Sequence, residues 1–465
     1  MPVDFDSYLS PFSWRYASPA MRALWSERGK RLLWRRIWLA LAKVQSGYGL
    51  VSAEQLADLA AHAAEVNIPR ALEIEAEIHH DLMAELRTFA EQCLLGGGAL
   101  HVGATSMDIE DNADVLRLRK ALDLTVHTLN ELLQTFARQI ETWAAVPCIA
   151  FTHLQPAEPT TLGYRLANYA QELLYDWREL INLGGSIRGK GFKGAVGTSA
   201  AYAELVGADQ LDAFEAALSS KLDLPFFSIT NQTYPRRQDY SILCALAGMA
   251  ATLSRFAFDL RVLQSPPIGE WSEPFSKKQV GSSAMPFKRN PINAEKIDSL
   301  ARSLSAMPQI AWSNASLSLL ERTLDDSANR RSLLPEAFLI SDEILRTALR
   351  LLNGLQIDEK ALHRNLDAYG PFAATERVLM ALSQAGADRQ EAHERLREIA
   401  MHAWQAIQSG QPNPLCDLLC ADQFFNSRLS PDQIRALFDV NVYTGAATPR
   451  ALALARQIRE QVPIA

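Results

Sequence analysis

The stretch "LDLTVHTLNELLQTFARQIETW" at residues 122–143 decides the fold, because its apolar residues recur at alternating steps of four and three. This spacing lays one apolar stripe along an α-helix and is typical of the seam between long helices that pack side by side. The pattern predicts a helix of about 30 residues that begins near Ala113 and is roughly 45–50 Å long. The seam positions are Leu122, Val126, Leu129, Leu133, Phe136, Ile140 and Trp143.

The same rhythm returns at residues 162–180 and 242–263. Residues 294–320 and 332–353 are also predicted to be helical, the first with an interruption near Pro308. Alternating patterns of the kind that predict β-strands are scarce. We therefore predict an all-α protein whose middle is an elongated bundle of long helices.

A chain of 465 residues is too long for one compact core, so we predict three domains. Residues 1–106 would form an N-terminal helical domain, and residues 358–465 a C-terminal helical domain. Residues 107–357 would form the central bundle and carry the catalytic loops. Long apolar seams usually find partners in a symmetric assembly, so a homo-oligomer is favoured over a monomer whose seams face only each other.

The formal net charge of −7 argues against a general nucleic-acid-binding protein, whose affinity comes from clustered cations. The first residues lack the pattern of a signal peptide, and no apolar run reaches the roughly 18 residues that span a bilayer. The five cysteines are scattered, and the close pair Cys416 and Cys420 lacks a second ligand pair for zinc. These features predict a cytoplasmic protein without membrane, nucleic-acid or metal partners.

Two polar segments in the first half of the chain contain residues capable of chemistry. In "HVGATSMD" (101–108), the hydroxyls of Thr105 and Ser106 could cap the helix that follows, or could bind a carboxylate with its N–H groups. In "FTHLQPAEPTTLGYR" (151–165), His153 could be solvated, or could act as a general acid or base. Position alone leaves both alternatives open.

Two further polar segments lie in the second half. "QVGSSAMPFKRNPINAEK" (279–296) is either an exposed connector or a lid whose serine is activated beside cations. In "LERTLDDSANRR" (320–331), the arginines could bind an anion or could pair with Asp325 and Asp326 on a helix surface. Composition does not decide between these interpretations.

Taken together, "GATS", "THLQPAEPTT" and "GSSAMPFKRNP" resemble the motifs of the fumarase/aspartase superfamily, whose members eliminate fumarate from a succinyl-bearing substrate. Within it the sequence is most similar to the adenylosuccinate-cleaving branch. The similarity covers nearly the whole chain, up to "ATERVLMALSQAGADRQEAHE" near the end. It rests further on "RYASPAM" (15–21), "HDLMAEL" (80–86), "NQTYPRRQD" (231–239) and "ERTLDDSANRR" (321–331), the last typical of the group that includes the animal enzymes.

The resemblance implies a β-elimination that gives AMP and fumarate, and also AICAR from SAICAR, in purine biosynthesis. It implies no cofactor and a homotetramer whose active sites are shared between subunits. Ser282 would be the general base, with Lys288 stabilising it, and His153 the general acid. His80, which matches the second histidine region of the family, would be catalytic as well. Residues expected to bind substrate are Arg15, Tyr16, His79, Asp81, Thr105, Ser106, Thr152, Gln232, Ser283, Asn290, Lys296, Arg322, Ser327 and Arg331.

Three positions depart from the family pattern. Phe287 stands where many relatives have His or Tyr, and His79 and Lys296 stand where animal relatives have Arg. These changes bear on substrate preference and leave the expected acid and base in place. A fumarate-releasing lyase for another amine, such as argininosuccinate, and a binding protein that has lost activity are the rival interpretations.

Overall fold

The computed structural model describes residues 6–464 and consists mainly of α-helices. Within this range there are nineteen α-helices and four short β-strands. The prediction of an all-α fold is therefore confirmed. Residues 1–5, where the sequence lacks a signal-peptide pattern, lie outside the described residues.

Six helices occupy the first part of the chain, and four of them begin at a serine cap, Ser10 being the cap of the first. Ser18, Ser26 and Ser52 each accept a hydrogen bond from the backbone N–H three residues later, which satisfies a donor that the helix itself cannot pair. The helices are α1 (Pro11–Trp14), α2 (Pro19–Leu24), α3 (Glu27–Ser46), α4 (Ala53–His62), α5 (Ile68–Ile78) and α6 (Asp81–Gln92).

The middle of the chain forms seven helices, five of which have 25 or more residues. The first has 38 residues rather than about 30, because it begins at Ser106 and its additional turns bury Ile109 and Asn112. The seven are α7 (Ser106–Trp143), α8 (Leu162–Ser186), α9 (Ala200–Val206), α10 (Leu211–Leu222), α11 (Arg237–Leu263), α12 (Ile292–Ser316) and α13 (Ser327–Asn353).

Helix α12 is continuous through Pro308, so the expected interruption is wrong. A proline inside a helix removes one backbone donor and usually kinks the helix. Leu304 and Ala311, about one turn before and one turn after it, are completely buried. Packing of this buried face offsets the lost hydrogen bond.

The apolar seams predicted from the spacing are buried. Every seam position of α11 is at most 6% exposed, and most of those in α7 and α8 are buried as well. Phe256 of α11 meets Phe136 of α7 and Tyr169 of α8, with ring centroids 5.6 Å and 5.4 Å apart. Both contacts are edge-on, the geometry that aromatic rings favour, and they bring the three helices together.

Six more helices complete the chain: α14 (Glu359–Gln384), α15 (Arg389–Gln408), α16 (Leu415–Ala421), α17 (Gln423–Asn426), α18 (Pro431–Leu437) and α19 (Ala447–Gln461). Helices α14 to α18 share a small core of their own. Val378, Leu396, Leu415, Phe425 and Ile434 are buried in it.

Strands β1 (Pro147–Thr152) and β2 (Gln155–Thr161) form an antiparallel hairpin that the sequence pattern did not predict. The two residues between the strands, His153 and Leu154, have φ angles of 54° and 59°. A two-residue hairpin turn of this kind needs both residues in the left-handed region. Strands β3 (Trp271–Ser272) and β4 (Gln356–Ile357) also pair antiparallel.

By length and composition alone, helix α11 could cross a membrane. No segment of this kind was expected from the sequence. Half of its most apolar window is buried within the protein. The core helix of a soluble protein passes the same test, so this property is weak evidence for a membrane span.

The chain separates into two compact units. The first consists of Met1–Leu129, Asp176–Ala251 and Leu300–Arg346, and the second of Asn130–Tyr175, Thr252–Ser299 and Thr347–Ala465. The boundaries fall inside long helices, so these units do not correspond to consecutive stretches of sequence. The three-domain division stays a prediction.

Candidate active site

The first unit contains a cavity of about 130 Å³ that is lined mainly by charged side chains. Four of the residues expected to bind substrate meet in its wall, namely Asp81, Arg322, Ser327 and Arg331. They come from the first turn of α6, the segment before α13, and the first two turns of α13. We refer to this cavity as the arginine cavity.

Arg331 forms the exposed side of the arginine cavity. Its Nη2 lies 2.9 Å from Oδ2 of Asp81, and 59% of its side chain is exposed. Burial alone would raise the pKa of Asp81, but the positive charges of Arg331 and Lys30 outweigh it and the pKa is lowered. Asp81 is therefore a carboxylate at neutral pH that holds the exposed guanidinium of Arg331 at the mouth of the cavity.

Beneath the cavity lies a buried network of arginines and aspartates. Arg236 donates from Nη1 to Asp111 at 3.0 Å and from Nε to Asp326 at 2.6 Å. Arg330 donates from Nε to Asp239 at 2.9 Å and from Nη2 to the Tyr234 hydroxyl at 2.7 Å. These contacts fix the floor of the cavity.

The arginines of this network also reach the cavity. Arg322 pairs with Asp326 at 3.0 Å, as the surface-pairing interpretation of this segment expected, yet Arg322 lines the cavity too. Burial would raise the pKa of Asp326, but nearby guanidinium groups, Arg236 first, lower it overall. Nη2 of Arg236 and Nε of Arg117 are buried without a hydrogen-bond acceptor among the described residues. The several guanidinium groups in the wall are what favours an anionic ligand.

The candidate residues at the starts of α6 and α7 lie side by side. His80 caps α6, accepting from the Met83 N–H at 3.4 Å through Nδ1, and its Nε2 lies 3.4 Å from the Ser106 hydroxyl. The backbone N–H of Thr105 donates to Asp108 at 3.0 Å. Asp108 is in turn held by an ion pair with buried Lys190. This arrangement leaves the hydroxyl of Ser106 beside an imidazole.

Four other candidates in the first unit lie outside the arginine cavity wall. Gln232 donates its backbone N–H to Glu321 O at 3.1 Å, so it is adjacent to the segment that carries Arg322. The Arg15 guanidinium lies 5.7 Å from the centre of the Trp14 ring, and the Tyr16 ring packs on Phe12. His79 ends α5 in the left-handed conformation and is exposed. The structure does not bring Arg15, Tyr16 and His79 to this wall.

The second unit carries the expected acid and base. His153 is exposed at the turn of the β1–β2 hairpin, directly after Thr152, which pairs with Gln155. Because the turn fixes both of its residues in left-handed geometry, the hairpin presents the imidazole at a defined point of the backbone.

Ser282 lies in the loop between β3 and α12, and its hydroxyl oxygen accepts hydrogen bonds from two backbone N–H groups. The donors are Ala284 at 3.4 Å and Met285 at 3.1 Å. Such donors stabilise negative charge on oxygen, which a serine needs if it is to act as a base. The side chain of Lys288, the expected stabiliser, is exposed, and Ser283 is exposed as well.

The loop closes on itself at Gly281. The side chain of Asn290, expected to bind a carboxylate, donates to Gly281 O at 3.1 Å. A Cβ at position 281 would lie 2.1 Å from Lys288 O, so only glycine permits this approach. Lys296, the remaining candidate, is half-buried in the first turns of α12.

Two side chains hold the base of this loop. Gln264 accepts from the Glu273 N–H at 3.0 Å and donates to Arg289 O at 2.9 Å, so one amide joins both ends. The Glu273 carboxylate accepts from the backbone N–H groups of Asn293 and Ala294 at the start of α12. The residues between 273 and 289 are therefore anchored at both ends.

Sequence reasoning missed several residues of the arginine cavity. Lys30, Glu110 and Arg117 line it, and Arg236 connects it to the buried network. One signal was available, because four acidic residues fall between positions 108 and 114, too many for the buried start of a helix unless they have partners.

Comparisons with known proteins agree with this architecture. A family model described as lyase matches residues 16–304, and one described as adenylosuccinate lyase C-terminus matches residues 371–450. Adenylosuccinate lyase from Saccharomyces cerevisiae is 36% identical over 96% of this chain and 93% of that protein. Adenylosuccinate lyase from Schistosoma mansoni is 38% identical over 91% of this chain and 89% of that protein.

Among solved structures, 3-carboxy-cis,cis-muconate lactonizing enzyme from Pseudomonas putida has a TM-score of 0.85 with 26% identity, covering 96% of this chain and 99% of that chain. The fold and the motif-bearing loops define a lyase of the fumarase/aspartase superfamily. Within that class, the chain belongs to the adenylosuccinate lyase family. The resemblance inferred from the motifs is confirmed.

Proposed function

We propose that this protein eliminates fumarate from adenylosuccinate to give AMP, and from SAICAR to give AICAR, in purine biosynthesis. The observation that carries the proposal is the arginine cavity, where Arg322, Ser327 and Arg331 surround a space of suitable chemistry for a phosphate. Arginine forks bind phosphate oxygens with charge-assisted hydrogen bonds. An argininosuccinate-cleaving enzyme has no phosphate to bind at this position.

In the proposed reaction, Ser282 acts as the base. Its alkoxide takes a proton from the carbon next to the succinyl carboxylate, whose oxygens accept the electron pair and become a dianion. The N–H groups of Ala284 and Met285 stabilise the alkoxide beforehand. The charge of Lys288 and the amide of Asn290 would stabilise the dianion.

The second half of the reaction breaks the bond between carbon and nitrogen. The electron pair of the dianion forms the fumarate double bond, and the pair of the C–N bond passes to the purine nitrogen. His153 donates a proton to that nitrogen, which becomes the neutral amino group of AMP. The succinyl group would be oriented by His80, Thr105, Ser106, Thr152, Gln232 and Ser283.

We also propose that the protein works as a cytoplasmic homotetramer in which His153 and Ser282 of one site come from different subunits. Long apolar helices support assembly, since side-by-side packing brings loops from opposite helix ends together. Arg15, Tyr16, His79 and Lys296 would then complete the nucleotide site after assembly.

The test is to incubate the purified protein with adenylosuccinate, follow its ultraviolet spectrum and measure fumarate release. A Ser282→Ala variant purified in the same way controls for contaminating activity. Formation of AMP and fumarate by the wild type, but not by Ser282→Ala, supports the proposal. Fumarate released from argininosuccinate instead, or stabilisation by AMP without turnover of adenylosuccinate, would overturn it in favour of the corresponding rival.

A further inference from the structure

Among the residues that the structure describes, one carboxyl group in the wall of the arginine cavity has no hydrogen-bond or ion-pair partner. Glu110 lies one and two turns before Asp114 and Arg117 on the same face of α7, and all three line the cavity. Within residues 6–464, the Glu110 side chain makes no hydrogen bond or ion pair. None of the sequence motifs gave it a role.

The other charged groups around the cavity are mostly paired. The carboxylates are Glu27, Asp81, Asp111 and Asp114, and the cations are Lys30, Arg117, Arg236, Arg322, Arg330 and Arg331. Asp81 is bound by Arg331, Asp111 by Arg236, and Asp114 by Arg117. None of these cations forms an ion pair with Glu110 within the described residues, so a negative charge on Glu110 would not be neutralised.

The surroundings of Glu110 favour its neutral form. Burial raises its pKa to about 8, and the negative charges of Asp81, Asp114 and Asp111 act in the same direction against Arg331. A neutral carboxylic acid has an O–H group to donate, whereas a carboxylate at this place would repel an anionic ligand. A phosphate dianion in the cavity would stabilise the neutral form further.

We propose that Glu110 binds the phosphate of the nucleotide as a neutral carboxylic acid, donating a hydrogen bond to it alongside the guanidinium groups of Arg322 and Arg331. This inference rests on the proposed function, because the ligand is the nucleotide's phosphate. Binding then requires a proton on Glu110. Affinity is present at neutral pH and is lost as the pH rises and the side chain ionises.

The proposal is tested by measuring the affinity for AMP between pH 7 and pH 9, a range in which the phosphate itself stays a dianion. For the wild type we expect about tenfold weaker binding at pH 9, since about nine-tenths of Glu110 is ionised one unit above its pKa. Glu110→Gln keeps a donor and cannot ionise, so its affinity should be similar at pH 7 and constant with pH. Glu110→Ala should bind weakly at every pH.

Two further measurements use the wild type only, so they give a result even if the variants do not fold. Calorimetry in buffers of different ionisation enthalpy should record uptake of about 0.75 proton per AMP at pH 8.5. The phosphorus NMR resonance of bound AMP should stay constant between pH 7 and pH 9, because Glu110 keeps its proton in the complex while the bound fraction falls.

Constant wild-type affinity, or the same decline in Glu110→Gln, overturns the role of Glu110 and leaves the nucleotide site intact. Absent proton uptake, or a bound phosphorus resonance that moves between pH 7 and pH 9, overturns the requirement for a proton on Glu110. AMP that fails to bind the wild type at any pH overturns the proposed function together with this inference.

Discussion

Replacing Arg331 with alanine tests whether the arginine cavity holds a phosphate. The side chain is 59% exposed, and its one ion pair within the described residues is with Asp81. Exposed pairs of this kind contribute roughly 0.2–1 kcal/mol to folding stability. The variant is therefore expected to fold normally, so changes in its kinetics report on the ligand.

The expected loss depends on the substrate. A hydrogen bond to a charged group contributes about 1.5–3 kcal/mol, which corresponds to roughly a 10- to 160-fold decrease in kcat/KM for adenylosuccinate. Asp81 would then stand unpaired at the mouth of the cavity, and its negative charge adds to the loss. The nucleoside analogue of the substrate, which lacks the phosphate, should be cleaved at an almost unchanged rate.

The assay compares kcat/KM for the two substrates in the wild type and in Arg331→Ala. Arg70→Ala is the matched control, because Arg70 is also an exposed arginine of the first unit and pairs with Glu91 at 2.8 Å. The control should leave both rates within about twofold. Equal losses for both substrates in Arg331→Ala would refute the phosphate assignment and make Arg331 a structural residue.

Three further predictions concern the base, the assembly and the buried network. Ser282→Ala should reduce turnover roughly a hundred- to ten-thousandfold while AMP still binds; near-normal turnover would move the base to another residue. His153→Ala and Ser282→Ala proteins, unfolded gently and reassembled together, should recover activity in about a quarter of their sites, by counting combinations in a closed oligomer; confirmed mixed oligomers without activity would show that each chain builds its own site. Arg236→Ala, which leaves Asp111 and Asp326 buried without this partner, should lower the free energy of unfolding by about 3–5 kcal/mol in denaturant titrations; a change below 1 kcal/mol would show that water or relaxation compensates the two carboxylates.

The long helices could be predicted from the sequence because each seam is a local pattern. Leu129, Phe136 and Phe256 are buried where the spacing of four and three expects them. The β1–β2 hairpin was missed, since its second strand, "QPAEPTT", contains two prolines and does not alternate. The register of the hairpin depends on the turn residues His153 and Leu154. Their left-handed backbone conformation could not be predicted from the sequence.

The candidate site could be predicted only in part from the sequence. Asp81, Arg322, Ser327 and Arg331 carry motif signals and do meet in one cavity. The buried network could not be predicted, because its partners are far apart in the sequence. Arg236 and Asp111, for example, are separated by 125 residues. Only the folded chain shows which of the many acids and bases face each other.

The anchoring of the Ser282 loop by Gln264 and Glu273 has a consequence for protein engineering. Both ends of the loop are joined by one amide, and Glu273 also caps α12, so the bundle does not depend on the sequence in between. The loop can be treated as a replaceable cassette between two fixed points. Exchanging residues around Phe287, which is 82% exposed, would change the loop that carries the proposed base without repacking the core. Lengthening the cassette would cost little, because closure entropy grows only slowly with loop length.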